Sequence, residues 1–164
     1  MTMTIQQPKA FDLVGDPVLF GGFGTGFEAV FSWRVHDGHD ERTGSIHAGG
    51  GTGEHGQYQV AAAIGPNAFQ LDRLFVEVFE ESASGSGEEL HKVIVPVIFG
   101  PRIVADYVGF RIHRVKSGDT LSKISLQHYG DPALFTRIVR ANPQIIIDPN
   151  LIVIGQDLKV PIGM

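Results

Sequence analysis

A cluster of histidines and acidic residues is the first feature of the sequence that could do chemistry. His36, Asp37, His39, Asp40 and Glu41 occur within six consecutive positions. Imidazole and carboxylate groups are ligands of zinc, nickel and related ions. The cluster, however, falls in a predicted connection between strands, and no ligand spacing recurs on a helix or on paired strands. We therefore predict a solvated polar turn and no metal site, with adventitious metal binding as the alternative.

Alternating glycines form a second feature with a potential chemical role. Gly22, Gly24 and Gly26 suggest the start of a loop that binds the phosphates of a dinucleotide. Such a loop would need a glycine where Phe27 stands, and a helix after it. The residues that follow alternate like a strand, so the segment is predicted to be a tight turn or bulge. No cofactor is expected.

The rest of the chain lacks the residue combinations of an enzyme. Cysteine is absent, which excludes disulfides, thiolate metal sites and a cysteine nucleophile. The serines have no credible His–Asp arrangement, and no pair of carboxylates lies in a motif typical of glycoside cleavage. We therefore predict a non-catalytic protein with no catalytic residues and no metal.

Charge and glycine content divide the 164-residue chain into two parts. Residues 1–112 contain seven Lys/Arg and fourteen Asp/Glu, a net charge of −7, whereas residues 113–164 contain six and four, a net charge of +2. Seventeen of the 21 glycines lie in the first part. Two domains of different character are therefore predicted. Neither charge is large enough to indicate a nucleic-acid partner.

No segment is typical of membrane insertion or of classical secretion. The longest apolar run, Val93–Phe99, contains Pro96 and is too short to span a bilayer. The N-terminal residues lack the basic start and apolar stretch of a secretory signal. The location is left open between the cytoplasm and a cell envelope reached by a non-classical route.

Alternation of apolar and polar residues predicts strands throughout the first part. The clearest runs lie around residues 27–33, 58–62, 74–79 and 93–97, and Gly-rich turns separate them. Ser82–Gly87 is predicted to be a hairpin loop. Six or seven short strands in about 100 residues indicate an antiparallel β-sandwich.

The order of these segments resembles the immunoglobulin-like domain of bacterial spore germination proteins. The matching pieces are Phe11–Val14, the segment GFGTGFE, the strand at Val30–Asp37, the strand at Phe69–Glu80 with ESASGSG after it, and Val93–Val97. The resemblance covers roughly residues 10–99. It implies an all-β, immunoglobulin-like sandwich over residues 1–100 that spaces or displays another part, with no catalytic apparatus.

From residue 113 onward the pattern changes to strand, helix, helix, strand. Arg114–Lys116 is predicted to be a short strand, and Asp119 is predicted to cap the first helix. Asp131 and Pro132 are expected to begin a second helix, which Asn142 and Pro143 end. Leu158–Val160 is predicted to pair with the first strand.

Several motifs in this part resemble the LysM domain. They are VKSGDTLSKIS, HYGDP, RANP, DPNLI and GQDLKVP, in that order over residues 113–161. The resemblance implies a small α+β domain of βααβ order at residues 113–164 that binds glycans containing N-acetylglucosamine, such as peptidoglycan or chitin. One departure is Ile154, which stands where the family usually has proline.

The family's groove lies between the first strand–helix turn and the loop after the second helix. Carried over to this sequence, one wall comprises Gly118, Asp119, Thr120 and Leu121, and the other comprises Asn142, Pro143, Leu151 and Ile152. Leu121 and Ile152 would contact apolar sugar faces, and backbone groups would supply hydrogen bonds. Helix capping and core packing are the alternative roles for several of these residues.

Two functions follow from these resemblances. In the first, the LysM domain binds peptidoglycan or N-acetylglucosamine oligomers, while the sandwich is a spacer or a second surface for a protein partner. In the second, the chain is an intracellular or phage-tail-like structural adaptor whose LysM domain makes protein contacts. The apolar segment at residues 101–112 is expected to pack between the two domains.

Overall fold

The chain folds into two compact units, Met1–Ile98 and Phe99–Met164, which are described separately. The structure is a computed structural model that describes residues 2–25, 29–50, 53–65 and 68–164. The last glycine of the predicted turn, Gly26, and the predicted strand residue Phe27 lie outside these ranges. The first unit is built of strands, and the second contains two helices and two strands, as the predicted fold class requires.

The first unit is a sandwich of two antiparallel sheets. Its strands are β1 (Thr2–Gln7), β2 (Leu13–Val14), β3 (Val18–Thr25), β4 (Val30–His36), β5 (Glu41–His47), β6 (Gly56–Ala62), β7 (Arg73–Glu81) and β8 (Glu89–Phe99). One sheet has the order β1-β3-β6 and the other the order β2-β8-β7-β4-β5. The predicted sandwich is therefore confirmed.

The core of this unit lies between the two sheets. Alternate residues point inward from the central strands, so that Phe20 of β3 and Val35, Leu74 and Val76 of the other sheet are fully buried. The ring of Phe20 meets that of Trp33 edge to face, with ring centroids 5.7 Å apart. This contact connects the two layers.

The glycine-rich segment before residue 26 is a strand rather than the predicted tight turn, and the predicted bulge corresponds to an irregular pairing of β1 opposite Gly21 and Gly22. β3 pairs with β1 along one edge and with β6 along the other. A Cβ at Gly22 would overlap the carbonyl oxygen of Thr4, and a Cβ at Gly24 would lie 2.9 Å from the Phe31 ring. Glycine is needed here because atoms of neighbouring strands pack closely against the backbone. From a single sequence, this need for glycine looks the same as the need for glycine in a turn.

Two further strands were missed by the sequence pattern. β1 has no clear alternation, and β5 was interpreted as part of a polar loop. The hairpin at Ser82–Gly87 is confirmed, since Glu81 pairs with Glu89 across it. β8 contains Pro96 and lies between β2 and β7, although proline in a sheet is usually confined to edge strands and bulges.

The second unit has the order strand, helix, helix, strand. Its elements are β9 (Tyr107–Arg114), α1 (Leu121–Tyr129), α2 (Phe135–Ala141) and β10 (Asp157–Gly163), with short 3₁₀ turns at Gly100–Arg102 and Pro132–Leu134. β9 and β10 pair antiparallel. The core comprises Val115, Leu121, Ile124, Ile138, Ile146, Leu158 and Val160. No helix in the described part of the chain is long and apolar enough to cross a membrane.

Two details of this unit differ from the prediction. The first strand was placed at Arg114–Lys116 but ends at Arg114, so the end of the apolar segment 101–112 belongs to the sheet. The cap of α1 is Thr120, whose Oγ1 accepts a hydrogen bond from the Lys123 N–H at 3.2 Å, rather than Asp119. The expected packing of residues 101–112 between domains remains a proposal.

Candidate glycan-binding site

The two loops predicted to form the groove begin at one backbone contact. The N–H of Val115 donates to the carbonyl of Gln156 at 2.8 Å, and the N–H of Gly155 donates to the carbonyl of Val115 at 2.8 Å. Residues 116–120 leave this pair toward α1, and residues 151–154 approach it from the other side. The fold therefore brings the bases of both predicted walls together.

The turn before α1 is held by several hydrogen bonds. Gly118 has a φ of +82°, which only glycine adopts at little cost. Its carbonyl accepts a hydrogen bond from the Lys123 ammonium group at 2.8 Å. The first N–H groups of any helix have no partner within the helix, and the Thr120 side chain satisfies that of Lys123.

Leu121 occupies a different place from the one predicted for it. Its side chain is only 3% exposed and packs in the core of the second unit. Contact between this side chain and a sugar face is therefore ruled out in this conformation. Leu121 instead fixes the start of α1 against the core.

Asn142 is also a structural residue. It is 3% exposed, and its Nδ2 donates to the carbonyls of Ile138 and Lys159, both at 2.7 Å. Its Oδ1 accepts from the Lys159 N–H at 2.8 Å, and its own carbonyl accepts from the N–H groups of Ile145 and Ile146. Asn142 thus joins the end of α2 to β10 and positions the second wall, with no polar atom left for a ligand.

The second wall is largely aliphatic. Leu151 is 70% exposed, while Ile152 is partly buried against the core and Pro143 is partly buried at the start of the loop. The loop is braced by Gln156, whose Oε1 accepts from the Val153 N–H and whose Nε2 donates to the Ile145 carbonyl.

Exposed aliphatic side chains beside this wall were missed as candidates. They are Ile147, Val153 and Ile154, each more than 60% exposed. Their density in the segment IIIDPNLIVIGQ was the available signal, because a loop in water rarely carries so many aliphatic residues. Ile154, which replaces the usual proline, precedes Gly155 and its φ of +87°.

A chain of three titratable side chains supports the first wall from behind. His113 Nε2 lies 3.0 Å from Asp119 Oδ2, and His113 Nδ1 lies 3.1 Å from His128 Nε2. Asp119 also accepts from the Lys116 N–H at 2.9 Å. The hydrogen bond from His113, followed by that from Lys116, lowers the pKa of Asp119. Asp119 therefore remains ionised and fixes the turn that carries Gly118 and Thr120.

The histidine-rich segment near residue 37 contains one buried carboxylate, while Gly38, His39 and Glu41 around it are exposed as predicted. Asp37 is 3% exposed, so it is not part of a solvated turn as predicted. Its Oδ1 accepts from the N–H groups of His39 and Asp40, and its Oδ2 accepts from those of Gln70 and Leu71, at 2.7–3.1 Å. Within the described ranges, no group of three His, Asp or Glu side chains is arranged to hold a metal ion.

Comparison with known proteins assigns both units to families. Residues 2–87 match Gmad2, the immunoglobulin-like domain of bacterial spore germination, and residues 113–161 match the LysM domain. The chain is also similar to the potassium binding protein Kbp of Escherichia coli O6:H1. The two are 34% identical over 104 residues, which cover 55% of this chain and 70% of that protein. No solved structure matches the chain. Since the first match spans more than half of the chain, the protein belongs to the family of immunoglobulin-like domains of bacterial spore germination, with a LysM domain at its C-terminal end.

Proposed function

We propose that the LysM domain binds a glycan containing N-acetylglucosamine, and that the protein acts by binding rather than by catalysis. The observation that carries the proposal is the LysM match together with the junction of the two loops at Val115 and Gly155. The sandwich is the spacer or the second interaction surface of this binding protein. Both matched domains are binding or display families rather than enzymes.

The chemistry of the two loops suits such a glycan. A sugar ring with an acetamido group presents an apolar face, a methyl group and several hydrogen-bonding groups. Leu151 and Ile152 offer aliphatic contacts, and backbone groups of the turn before α1 offer hydrogen bonds. The domain carries only a small net charge, which matches an uncharged ligand.

Retention of the full chain on insoluble peptidoglycan tests the proposal. We expect the unmodified protein to sediment with the glycan and Leu151→Asn to bind about ten-fold more weakly, because the lost aliphatic contact contributes roughly 1.5 kcal/mol. Leu126→Asn is the matched control, since Leu126 is an exposed leucine on α1 outside both walls. It should bind like the unmodified protein.

Two results would contradict glycan binding at these loops. One is equal retention of Leu151→Asn and the unmodified chain. The other is recovery of the unmodified chain in the supernatant. If a protein partner is captured in the same experiment, the result supports the alternative function as a structural adaptor. Thermal unfolding of each variant shows whether it is folded.

Potassium binding is a second candidate function, favoured by the similarity to the potassium binding protein Kbp. A cation that binds only the folded chain raises its unfolding temperature. We expect a higher midpoint in KCl than in NaCl at equal concentration if this function is shared. Identical midpoints in the two salts across a wide concentration range would exclude it.

A further inference from the structure

The outer face of the three-stranded sheet in the first unit has an unusual composition. Residues of β3 alternate between the core and this face, so Phe20 is buried while Leu19, Gly21 and Phe23 lie on the outer side. Leu19 is 56% exposed. In the register of the sheet, Gly21 lies between Gln7 of β1 and Gln59 of β6.

The missing side chain at Gly21 leaves a depression in this face. Its volume is about 440 Å³, within the range of small-molecule sites. The lining residues are Gln6, Gln7, Leu19, Phe20, Gly21, Gly22, Phe23, Gln57, Tyr58 and Gln59. A Cβ at Gly21 would lie 2.7 Å from the carbonyl oxygen of Tyr58, so the floor of the depression is backbone.

The floor is held rigidly. The Tyr58 hydroxyl donates to the carbonyl of Thr4 at 2.7 Å and so connects β6 to β1 across β3. Burial raises the pKa of Tyr58 to about 12. Thr4 Oγ1 also accepts from the Phe23 N–H at 3.1 Å. The depression is therefore a preformed shape.

The chemistry of the lining selects a class of ligand. None of the ten lining residues carries a charged side chain, and four are glutamines, whose amides both donate and accept hydrogen bonds. Leu19 and Phe23 add an aliphatic and an aromatic surface between these amides. A ligand that matches has no charge, has hydroxyl or amide groups along its rim, and has an apolar face. A neutral saccharide meets all three conditions.

An extended peptide fits this surface less well. β3 is hydrogen-bonded along both edges, to β1 and to β6, so its backbone has no free groups with which to add a further strand. Recognition at this face must come from side chains directed outward.

We infer that the depression around Gly21 on the three-stranded sheet is a binding site for a neutral saccharide, separate from the LysM domain. Glutamines of β1 and β6 hold the hydroxyl groups, and Leu19 and Phe23 support the apolar face of a sugar ring. The inference does not depend on the glycan proposed for residues 113–161. Such a site would give a chain with one LysM domain a second point of attachment to polysaccharide.

Titration of the full ¹⁵N-labelled chain with defined oligosaccharides tests the inference. The probes are cellohexaose and the N-acetylglucosamine hexamer, which are neutral, and the galacturonate hexamer, which is anionic. We expect a neutral probe to shift the side-chain amide signals of Gln7, Gln57 and Gln59 saturably. The anionic probe should leave them unchanged.

Substitutions then separate this site from the LysM domain. Gln59→Ala and Leu19→Ala, both at exposed positions, should each weaken binding at the sheet about five-fold, as expected for one lost contact. Gln127→Ala, an exposed glutamine of α1, is the matched control and should change nothing at the sheet. Leu151→Asn should also leave these shifts intact, so failure of one site does not imply failure of the other.

The inference is overturned if neither neutral probe shifts the glutamine amides at millimolar concentration. It is equally overturned if the anionic hexamer binds as well as the neutral ones, or if Gln59→Ala and Leu19→Ala bind like the unmodified chain. A neutral extended peptide that shifts the same amides while both sugars are inert would assign the surface to a protein partner instead.

Discussion

At the scale of single residues, Asp37 is a buried carboxylate whose hydrogen bonds all go to the backbone of the first unit. Its four backbone hydrogen bonds join the turn after β4 to the segment before β7. These bonds to its charged form lower its pKa against the opposing effect of burial. The stability it contributes is therefore present above the usual aspartate pKa and is lost as the pH falls through the lowered value.

Replacing Asp37 by asparagine should destabilise the sandwich. An amide group can accept fewer of the four N–H groups, and its own NH₂ must face two of them, so we expect a loss of about 2–4 kcal/mol. Urea unfolding at pH 7 measures the loss. Asp40→Asn, at a partly exposed neighbouring position, is the control, and an equal effect of both variants would show that Asp37 has no special role.

His128 gives the second unit a stability that depends on pH. Burial lowers its pKa, and the nearby His113 and Arg111 lower it further. His113, whose Nδ1 lies 3.1 Å from His128 Nε2, also contacts Asp119 of the turn, and the β10 residue opposite His113 is the uncharged Leu158. Because the unfolded chain takes up a proton on this imidazole near pH 6.5 and the folded chain does so only at lower pH, the contribution of His128 to stability falls as the pH falls below about 6.5.

Removing the imidazole at position 128 should make the stability of the second unit less dependent on pH. We expect the free energy of unfolding of His128→Gln to change less between pH 7.5 and 5.5 than that of the unmodified chain. His55→Gln, at an exposed site in the first unit, should retain the full dependence. Parallel curves for His128→Gln and the unmodified protein would refute the assignment.

At the scale of elements, the sequence predicts strands and helices best where a single physical cause determines the pattern of residues. Alternation identified β4, β6, β7 and β8, because burial of one face is encoded residue by residue. The capping signal placed the start of α1 within one residue, since the cap is Thr120 rather than Asp119, and Gly130 with its φ of +73° ends the helix. β3 was mistaken for a turn because its glycines make room for atoms of other strands. Those strands are distant in the sequence, so a local pattern does not reveal the requirement.

The candidate site shows the same limit. Its two walls follow from the LysM motifs, and the fold brings their bases together. The roles of Leu121 and Asn142 depend on which way each side chain turns, and this is decided by packing against β10 and the core. Leu151 was predicted as a wall residue and is exposed. Its aliphatic neighbours were not predicted, because only the high aliphatic content of the segment pointed to them.

An ion network joins β4, β7 and β8 on the larger sheet. Arg34 Nε donates to Glu77 at 2.9 Å, and its Nη1 donates to Glu89 at 3.0 Å. His36 Nε2 and Lys92 Nζ also lie within 4 Å of Glu77. Glu77 is 5% exposed, so its charge is compensated only by this network.

Neutralising Glu77 should weaken this sheet. Glu77→Gln removes the buried carboxylate that Arg34 and Lys92 share and leaves them with the more exposed carboxylate of Glu89. We expect a loss of about 3 kcal/mol. Glu41→Gln is the matched control, because Glu41 is 58% exposed and lies 3.8 Å from the same Arg34. A pair of that kind contributes about 0–1 kcal/mol. Equal losses of unfolding free energy for the two variants in urea would contradict the claim that burial makes the Glu77 carboxylate more important than that of Glu41.

At the scale of the whole molecule, each unit has a core of its own, and this predicts where a local defect is felt. Asn142→Ala removes the three hydrogen bonds of a buried side chain, at a cost of about 2–4 kcal/mol. Native-state hydrogen exchange should show lower protection for amides of residues 113–161 and unchanged protection for the strands of the sandwich. Asn150→Ala, at an exposed site whose partner is Asp148, should change neither. A loss of protection that extended equally into β4 and β7 would mean that the two units unfold as one cooperative structure. The LysM domain could then not be treated as a binding module with an independent stability.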